Sequence, residues 1–324
     1  MPPTKGRPRN TDHVRAQRIA ELQLRNNDGS EPLAFNPAPL TMASLPYRQP
    51  KAGTELWVRR DGDFHLTVSP GVRYNPKDGT TSRYGFPFGV VPRALLMWVT
   101  AEAVRTKNPV IMLGDSLADF VFKVLGQRAT GGRNGTATRV KEQATRLFNA
   151  NITYQWNGNG DRHQAGVNLN LARAWDMDLG DGEPGQGSLF PSFVQLGADF
   201  FNEIVERPVP LDLGIVRHLG SAAEIDFYAF LTYKMFSLQR PYLHKWENFG
   251  GQFGYQFANT PKGRYKLKEA TIAALKNVLA VYPANVEITA DGLQMSPGFT
   301  SVPLKGTREL RAALEAGKQG AAIE

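Results

Sequence analysis

Thr136-Ala-Thr-Arg-Val-Lys-Glu-Gln-Ala-Thr-Arg-Leu-Phe-Asn149, with the runs Ile152-Thr-Tyr-Gln-Trp-Asn157 and Gly166 to Trp175 behind it, decides the fold class. Val140, Ala144, Leu147 and Phe148 recur at helical spacing on one face, and Thr138, Arg139, Glu142, Thr145 and Arg146 fall on the other. The two runs read as strands, and Gly158-Asn-Gly160 between them supplies a polar turn. Working outward, Pro92 opens a helix through Ala94, Leu95, Trp98, Val99 and Ala103, and Pro109 to Leu113 reads as a short strand. Ser116 caps a helix carrying Leu117, Phe120, Val121, Val124 and Leu125, which Gly126 closes. Gln127 to Thr136 is a basic, Gly-rich loop.

Helix, strand, helix, turn, helix, hairpin is the order of a winged helix-turn-helix, in which the last helix enters the major groove and the hairpin is the wing. The order recurs downstream. Ala222 to Leu238 supplies a buried helix, Pro241 to Leu243 a strand, Lys245 to Phe253 a short helix, and Leu267 to Tyr282 a helix after a basic loop holding Lys262 and Arg264. Val286 to Ile288 and Leu293 to Met295 flank Asp291-Gly292 as a second wing. The expected class is α+β, two tandem winged helix-turn-helix domains behind a disordered basic tail. The boundaries read as a flexible tail at 1–50, a first domain at 51–180, a linker at 181–210, a second domain at 211–304 and a C-terminal tail at 305–324. The linker stretch holds Ser192 to Ile204, a strand or connector, and Leu211 to His218 reads as a short helix. Leu56 to Arg60 and Asp63 to Val68 around Asp61-Gly62 form a hairpin leading into the first domain.

The chain has 324 residues, a net charge of +8 and a sequence pI near 9.6, so a polyanionic partner is favoured. Ribosomal binding, a membrane surface or plain solubility would give the same total. The absence of cysteine excludes disulfides, Fe–S clusters, thiolate zinc sites and Cys nucleophiles. No apolar run approaches the ~18 residues of a membrane span and no signal peptide is visible, so the expected location is cytoplasmic, with no membrane partner.

The phosphate-cradling G-x-x-x-x-G-K-[ST] loop is absent, and Gly131-Gly-Arg-Asn-Gly-Thr136 imitates only its composition. The five histidines (13, 65, 163, 218, 244) form no metal-holding pair. Asp176, Asp178, Asp181 and Glu183 suggest a nuclease metal site, but their spacing fits a solvated acidic linker better. No catalytic residue, metal site or cofactor is expected, and the chain reads as a binding protein for double-stranded DNA rather than an enzyme. The DNA-contacting candidates are Arg128, Arg133, Asn134, Thr136, Thr138, Arg139, Lys141 and Arg146 around the first basic helix, and Lys262, Arg264, Lys266, Lys268, Lys276 and Asn277 around the second. Arginine can fork onto guanine or phosphate, and Arg139 and Arg146, seven residues apart, lie on nearly one face. Trp98, Trp156, Trp175 and Trp246 read as core or wing packing.

Tyr84-Gly-Phe-Pro87, Pro92-Arg-Ala-Leu-Leu-Met-Trp-Val-Thr-Ala-Glu-Ala-Val-Arg105, Leu113-Gly-Asp-Ser-Leu117, Thr130-Gly-Gly-Arg-Asn-Gly-Thr136, Arg146-Leu-Phe148 and Val281-Tyr-Pro-Ala-Asn285 resemble the plasmid RepA-type replication initiators of the RepA C-terminal-domain family. The resemblance covers roughly residues 60 to 305. It implies a protein that binds repeats at a plasmid origin, helps open an A·T-rich segment and recruits the host replication initiator and replicative helicase, without an ATPase or nuclease site. It also implies exchange between monomers on repeats and a homodimer on an operator that represses the protein's own gene, a form of copy control. The Leu56 to Val68 hairpin and the Phe193 to Phe201 segment are the expected pairing edges of that dimer. The competing readings are a winged-helix transcriptional repressor and a metal-dependent endonuclease.

Overall fold

The computed structural model describes residues 33–113, 130, 132, 135–158, 163–177, 192–254 and 260–302. Its first element, β1 (Leu33–Pro37), pairs antiparallel with a strand at Pro208–Asp212, and α1 (Pro39–Met42) follows. Residues 33–50 correct the expectation of a tail reaching residue 50. They have too little apolar content to fold alone, but Ala34, Leu40, Ala43 and Leu45 are buried by docking onto segments far along the chain. Residues 1–32 lie outside the described residues.

β2 (Trp57–Asp61) and β3 (Phe64–Ser69) form the expected hairpin, and Gly62 adopts a φ of 57° at its turn. Phe64, Leu66 and Val68 point inward at alternate positions. A second, shorter hairpin follows, β4 (Val72–Asn75) with β5 (Thr80–Arg83). Next come α2 (Val90–Thr106), β6 (Val110–Met112), α3 (Thr136–Phe148), β7 (Asn151–Gly158) and β8 (His163–Asn170). The expected helix after Ser116 lies outside the described residues. The β7–β8 hairpin joins β2 and β3 in a four-stranded antiparallel sheet of order β2-β3-β7-β8, with Leu66 opposite Tyr154 and Tyr154 opposite Val167.

The run expected as one strand from Gly166 to Trp175 is two. The chain breaks at buried Leu171, and β9 (Ala172–Asp176) leaves for another sheet, where β10 (Phe193–Leu196) lies between it and β6. α4 (Ala198–Glu206) and β11 (Pro208–Asp212) complete a stretch expected as a linker, and its described part, from residue 192, is folded into the core through Val194, Phe200, Ile204 and Val209.

In the second half, α5 (Leu213–His218) is capped by the Asp212 carboxylate accepting from the Ile215 amide, and α6 (Ala222–Ser237) by the Ser221 hydroxyl accepting from Glu224. β12 (Tyr242–Lys245), α7 (Trp246–Phe253), α8 (Pro261–Val281), β13 (Val286–Ile288) and β14 (Gly292–Met295) follow. β12 returns to pair with β14, giving the order β12-β14-β13. The residues expected as a basic loop with Lys262 and Arg264 are instead the first turns of α8. Thr260 accepts from the Gly263 amide at 3.1 Å and Pro261 sits at the first helical position, so the helix starts six residues before the apolar pattern does.

Two helices, α2 and α6, are buried on nearly every side. Between them lies a buried ion pair in which Arg93 Nε and Nη2 each donate to an Asp226 carboxylate oxygen at 2.7 Å. The remaining Arg93 N–H groups go to the carbonyls of Gly89, Leu45 and Pro46. α7 lies against β2, and the approach is close: a Cβ at Gly251 would stand 2.7 Å from the Arg60 carbonyl oxygen. Both expected dimer edges are therefore occupied. α7 packs on β2, Phe64 and Leu66 are 3% and 0% exposed, and β10 has a strand on either side. Charge placed at Phe64 or Leu66 would disrupt the core rather than report on a dimer.

His244 on β12 is fully buried among Phe230 and Phe249, with one ring nitrogen 2.8 Å from Gln252 Oε1. Burial pushes its pKa down to about 4, with the Lys234 ammonium acting in the same direction and the Gln252 hydrogen bond opposing. The unfolded chain, with an ordinary histidine near 6.5, thus binds the extra proton more readily, and stability falls as pH drops from about 6.5 towards 4. The expected loss between pH 7 and pH 5 is about 2 kcal/mol, read from urea midpoints. In His244→Gln that loss should shrink, and an undiminished one would assign the acid sensitivity elsewhere.

Candidate nucleic-acid interface

The first basic helix, α3, is positioned from both ends. Ahead of it, the Thr136 amide donates to Thr130 Oγ1 at 3.0 Å and Thr138 Oγ1 donates to the Gly132 carbonyl at 2.8 Å, so these two candidates shape the helix entry. Val140, Ala144, Leu147 and Phe148 seal the inner face, and buried Gln143 accepts from the Phe88 amide at 2.8 Å. Arg139 and Lys141 stand exposed on the outer face, and Glu142 is exposed beside them. Arg128, Arg133 and Asn134 lie outside the described residues.

Arg146 has a different setting from Arg139, although both were expected on one face. Its guanidinium lies 5.3 Å from the Phe88 ring centroid, donates to the Phe86 carbonyl at 3.2 Å and pairs with Glu142. The side chain is 12% exposed, so it braces residues 85–88 against the helix. The segment Phe86-Pro-Phe88 crosses over the last turns of α3, a tertiary contact that helix spacing does not reveal.

On α8 the candidates divide in the same way. Lys262, Arg264, Lys266 and Lys276 are exposed. Lys268 instead donates to the Ala290 carbonyl at 2.7 Å and lies over the Trp246 ring, tying the helix to the turn between β13 and β14. Asn277 donates to Glu224 Oε1 at 2.6 Å, and the other Glu224 oxygen accepts from the Gly220 amide, so this group fastens α8 to the start of α6. Tyr265, 63% exposed between Arg264 and Lys266, was missed by the reading of charge alone. The nearby Glu269 carboxylate, which accepts its hydroxyl, holds its pKa above the ordinary value. An aromatic residue inside a Lys/Arg string was the available signal.

Among the described residues no three acidic or histidine side chains come together as a metal site, and no helix is long and apolar enough to cross a membrane. Of the acidic cluster, Asp176 ends β9, while Asp178, Asp181 and Glu183 fall outside the described residues. The interface so described can contact anionic backbone and base edges through exposed cations on two helices, each followed in sequence by a two-stranded hairpin.

No curated protein matches the chain. Solved structures resemble it distantly, two of them as follows. One is the crystal structure of RctB domains 2-3, at 9% identity and a TM-score of 0.43, covering 77% of this chain and 84% of that one. The other is of selenomethionine derivatives of domains 2 and 3 of RctB, at 9% identity and a TM-score of 0.46, covering 74% and 83%. The family model described as "Plasmid encoded RepA protein" matches residues 86–247, half of the chain, from the segment braced by Arg146 through α3 to the start of α7. The chain belongs to the plasmid-encoded RepA protein family.

Proposed function

We propose that this protein is a plasmid replication initiator that binds repeated double-stranded DNA sites at the origin and recruits the host replication initiator and replicative helicase. The observation that carries the reading is the repeated arrangement of a helix with exposed cations followed by a hairpin, α3 with β7–β8 and α8 with β13–β14, in a RepA-family chain. In the second instance helix, strand, helix, helix and hairpin follow in order, and the first strand pairs with the last. That is the layout of a winged helix-turn-helix, and we read residues 211–304 as one such DNA-binding unit and residues 51–180 as a second, in which β6 pairs with β10 beyond it instead of with the β7–β8 hairpin. The protein acts by binding, without a catalytic step, in the cytoplasm, and a homodimer serves repression of its own gene. The deciding experiment supplies the protein to a plasmid carrying only the origin: replication supports the initiator, whereas operator binding without replication would leave a repressor. Nicking of supercoiled plasmid with Mg²⁺ would overturn the non-enzymatic reading.

Within α3, Arg139 reads a base edge and Lys141 holds phosphate. Arg139→Ala should weaken specific binding by about 1–3 kcal/mol and relax the preference at one base position, whereas Lys141→Ala should weaken all sequences alike. Titrations on specific and random duplexes separate the two. Equal losses on both duplexes for both variants would remove α3 as the reader.

A further inference from the structure

The ribbon β4–β5 belongs to neither helix–hairpin unit described above. Its strands pair only with each other, and every strand residue except Asn75 is exposed, Val72 and Tyr74 by 59% and 65%. An isolated two-stranded hairpin with no apolar face to bury is marginal in water. This one is held at both ends. At the tip, Asp78 accepts from the Thr80 amide, the Thr80 hydroxyl and Asn75 Nδ2. At the base, Gly71 is pressed against the end of α3 so closely that a Cβ would lie 2.1 Å from the Asn149 carbonyl oxygen. Gly85, with a φ of 89°, lies beside the Arg146 guanidinium, where a Cβ would stand 3.3 Å away. Both feet of the ribbon therefore stand on the last turn of the candidate reading helix, and Arg146 is part of the mount.

The ribbon's exposed charges are Arg73, Lys77 and Arg83; Arg73 Nε donates to Ser82 Oγ and Arg83 Nη1 to the Pro70 carbonyl, each leaving further guanidinium N–H groups, and the sole acid, Asp78, is engaged in the turn. We propose that β4–β5 is a DNA-contacting arm that places Arg73, Lys77 and Arg83 on phosphates of the duplex flanking the bases under α3, with Tyr74 against the sugar–phosphate edge. The proposal rests on α3 as a DNA-binding helix. Charge complementarity selects the occupant: cations outnumber the acid three to one, and two exposed apolar side chains are too few for the apolar centre of a stable protein interface.

The test uses the full-length chain and a labelled duplex of the plasmid segment that it protects from nuclease. In Arg73→Ala/Lys77→Ala/Arg83→Ala, the slope of log affinity against log salt should fall by about 2 to 3, because each lost phosphate contact removes about one. The footprint should shorten on one side, the specific-to-random ratio should hold, and on a duplex trimmed of that flank the variant should equal the wild type. Tyr74→Ala, at an exposed site, should weaken binding on the long duplex only, and unchanged circular dichroism confirms folding. An unchanged slope and footprint, with Arg139→Ala still losing specificity, overturns the arm and leaves α3 in place. If both sets of variants bind like the wild type, α3 itself fails as the DNA-binding helix, and if the protein protects no segment at all, the DNA-binding reading fails. A loss confined to self-association or to host-protein capture also overturns the arm.

Discussion

Asp226→Ala should destabilise the protein by about 3–5 kcal/mol, because it strands the Arg93 guanidinium in the core without its counter-charge. Both side chains are under a tenth exposed, and the contact is bidentate, so water offers little replacement. Burial raises the Asp226 carboxyl above the ordinary carboxylate range while Arg93 pulls it down, so the carboxylate depends on this partner. The apolar pair Arg93→Met/Asp226→Leu should recover only part of the loss. It removes the uncompensated charge but leaves the Gly89, Leu45 and Pro46 carbonyls without the donors that Arg93 supplies. Urea midpoints of the single and double variants decide this, and a single-variant loss below about 1 kcal/mol would show that the pair is not the link between the two central helices.

Affinity for duplex DNA should fall by roughly a thousandfold to a hundred-thousandfold between about 50 and 200 mM salt, the response of 6 to 10 phosphate contacts. The exposed cations suffice: Lys141 on α3, Lys262, Arg264, Lys266 and Lys276 on α8, and the ribbon's three. Arg146 and Lys268 do not count towards the slope, since each is half-buried as well as held by an intrachain contact. Fluorescence titrations at four or five salt concentrations measure it, and a nearly flat response would refute binding through these surfaces.

Local pattern made most elements legible. The Leu56–Val68 hairpin, α2, α3, α6 and α7 stand within a few residues of where spacing and turn residues put them, because their signals lie within one or two turns of chain. The start of α8 was hidden because Lys262 to Lys266 is polar and holds Gly263, so the apolar period begins only at Leu267, although Thr260-Pro261 was a readable cap. The pairings of β1 with β11 and of β6 with β10 join residues far apart, and no local pattern encodes a partner at that distance. The same limit governs the site. Arg139 and Arg146 are equivalent by helix geometry, and only the chain crossing at Phe86 to Phe88 makes one a free cation and the other a brace.

The pairing of β1 with β11 also sets a timetable during synthesis. Leu33 meets Asp212 and Pro37 meets Pro208, so β1 leaves the ribosome well over a hundred residues before its partner exists. At roughly 5–20 residues per second the wait is on the order of 10 to 35 seconds, long compared with the collapse of a chain this size. Through that interval β1 can rest against α2, which packs on it, but its edge stays unpaired, and an unpaired strand edge invites other chains. Yield in the cell should accordingly depend on how long the nascent chain is shielded, and slowing translation between codons 40 and 205 should favour aggregation unless a holding chaperone covers the early strand.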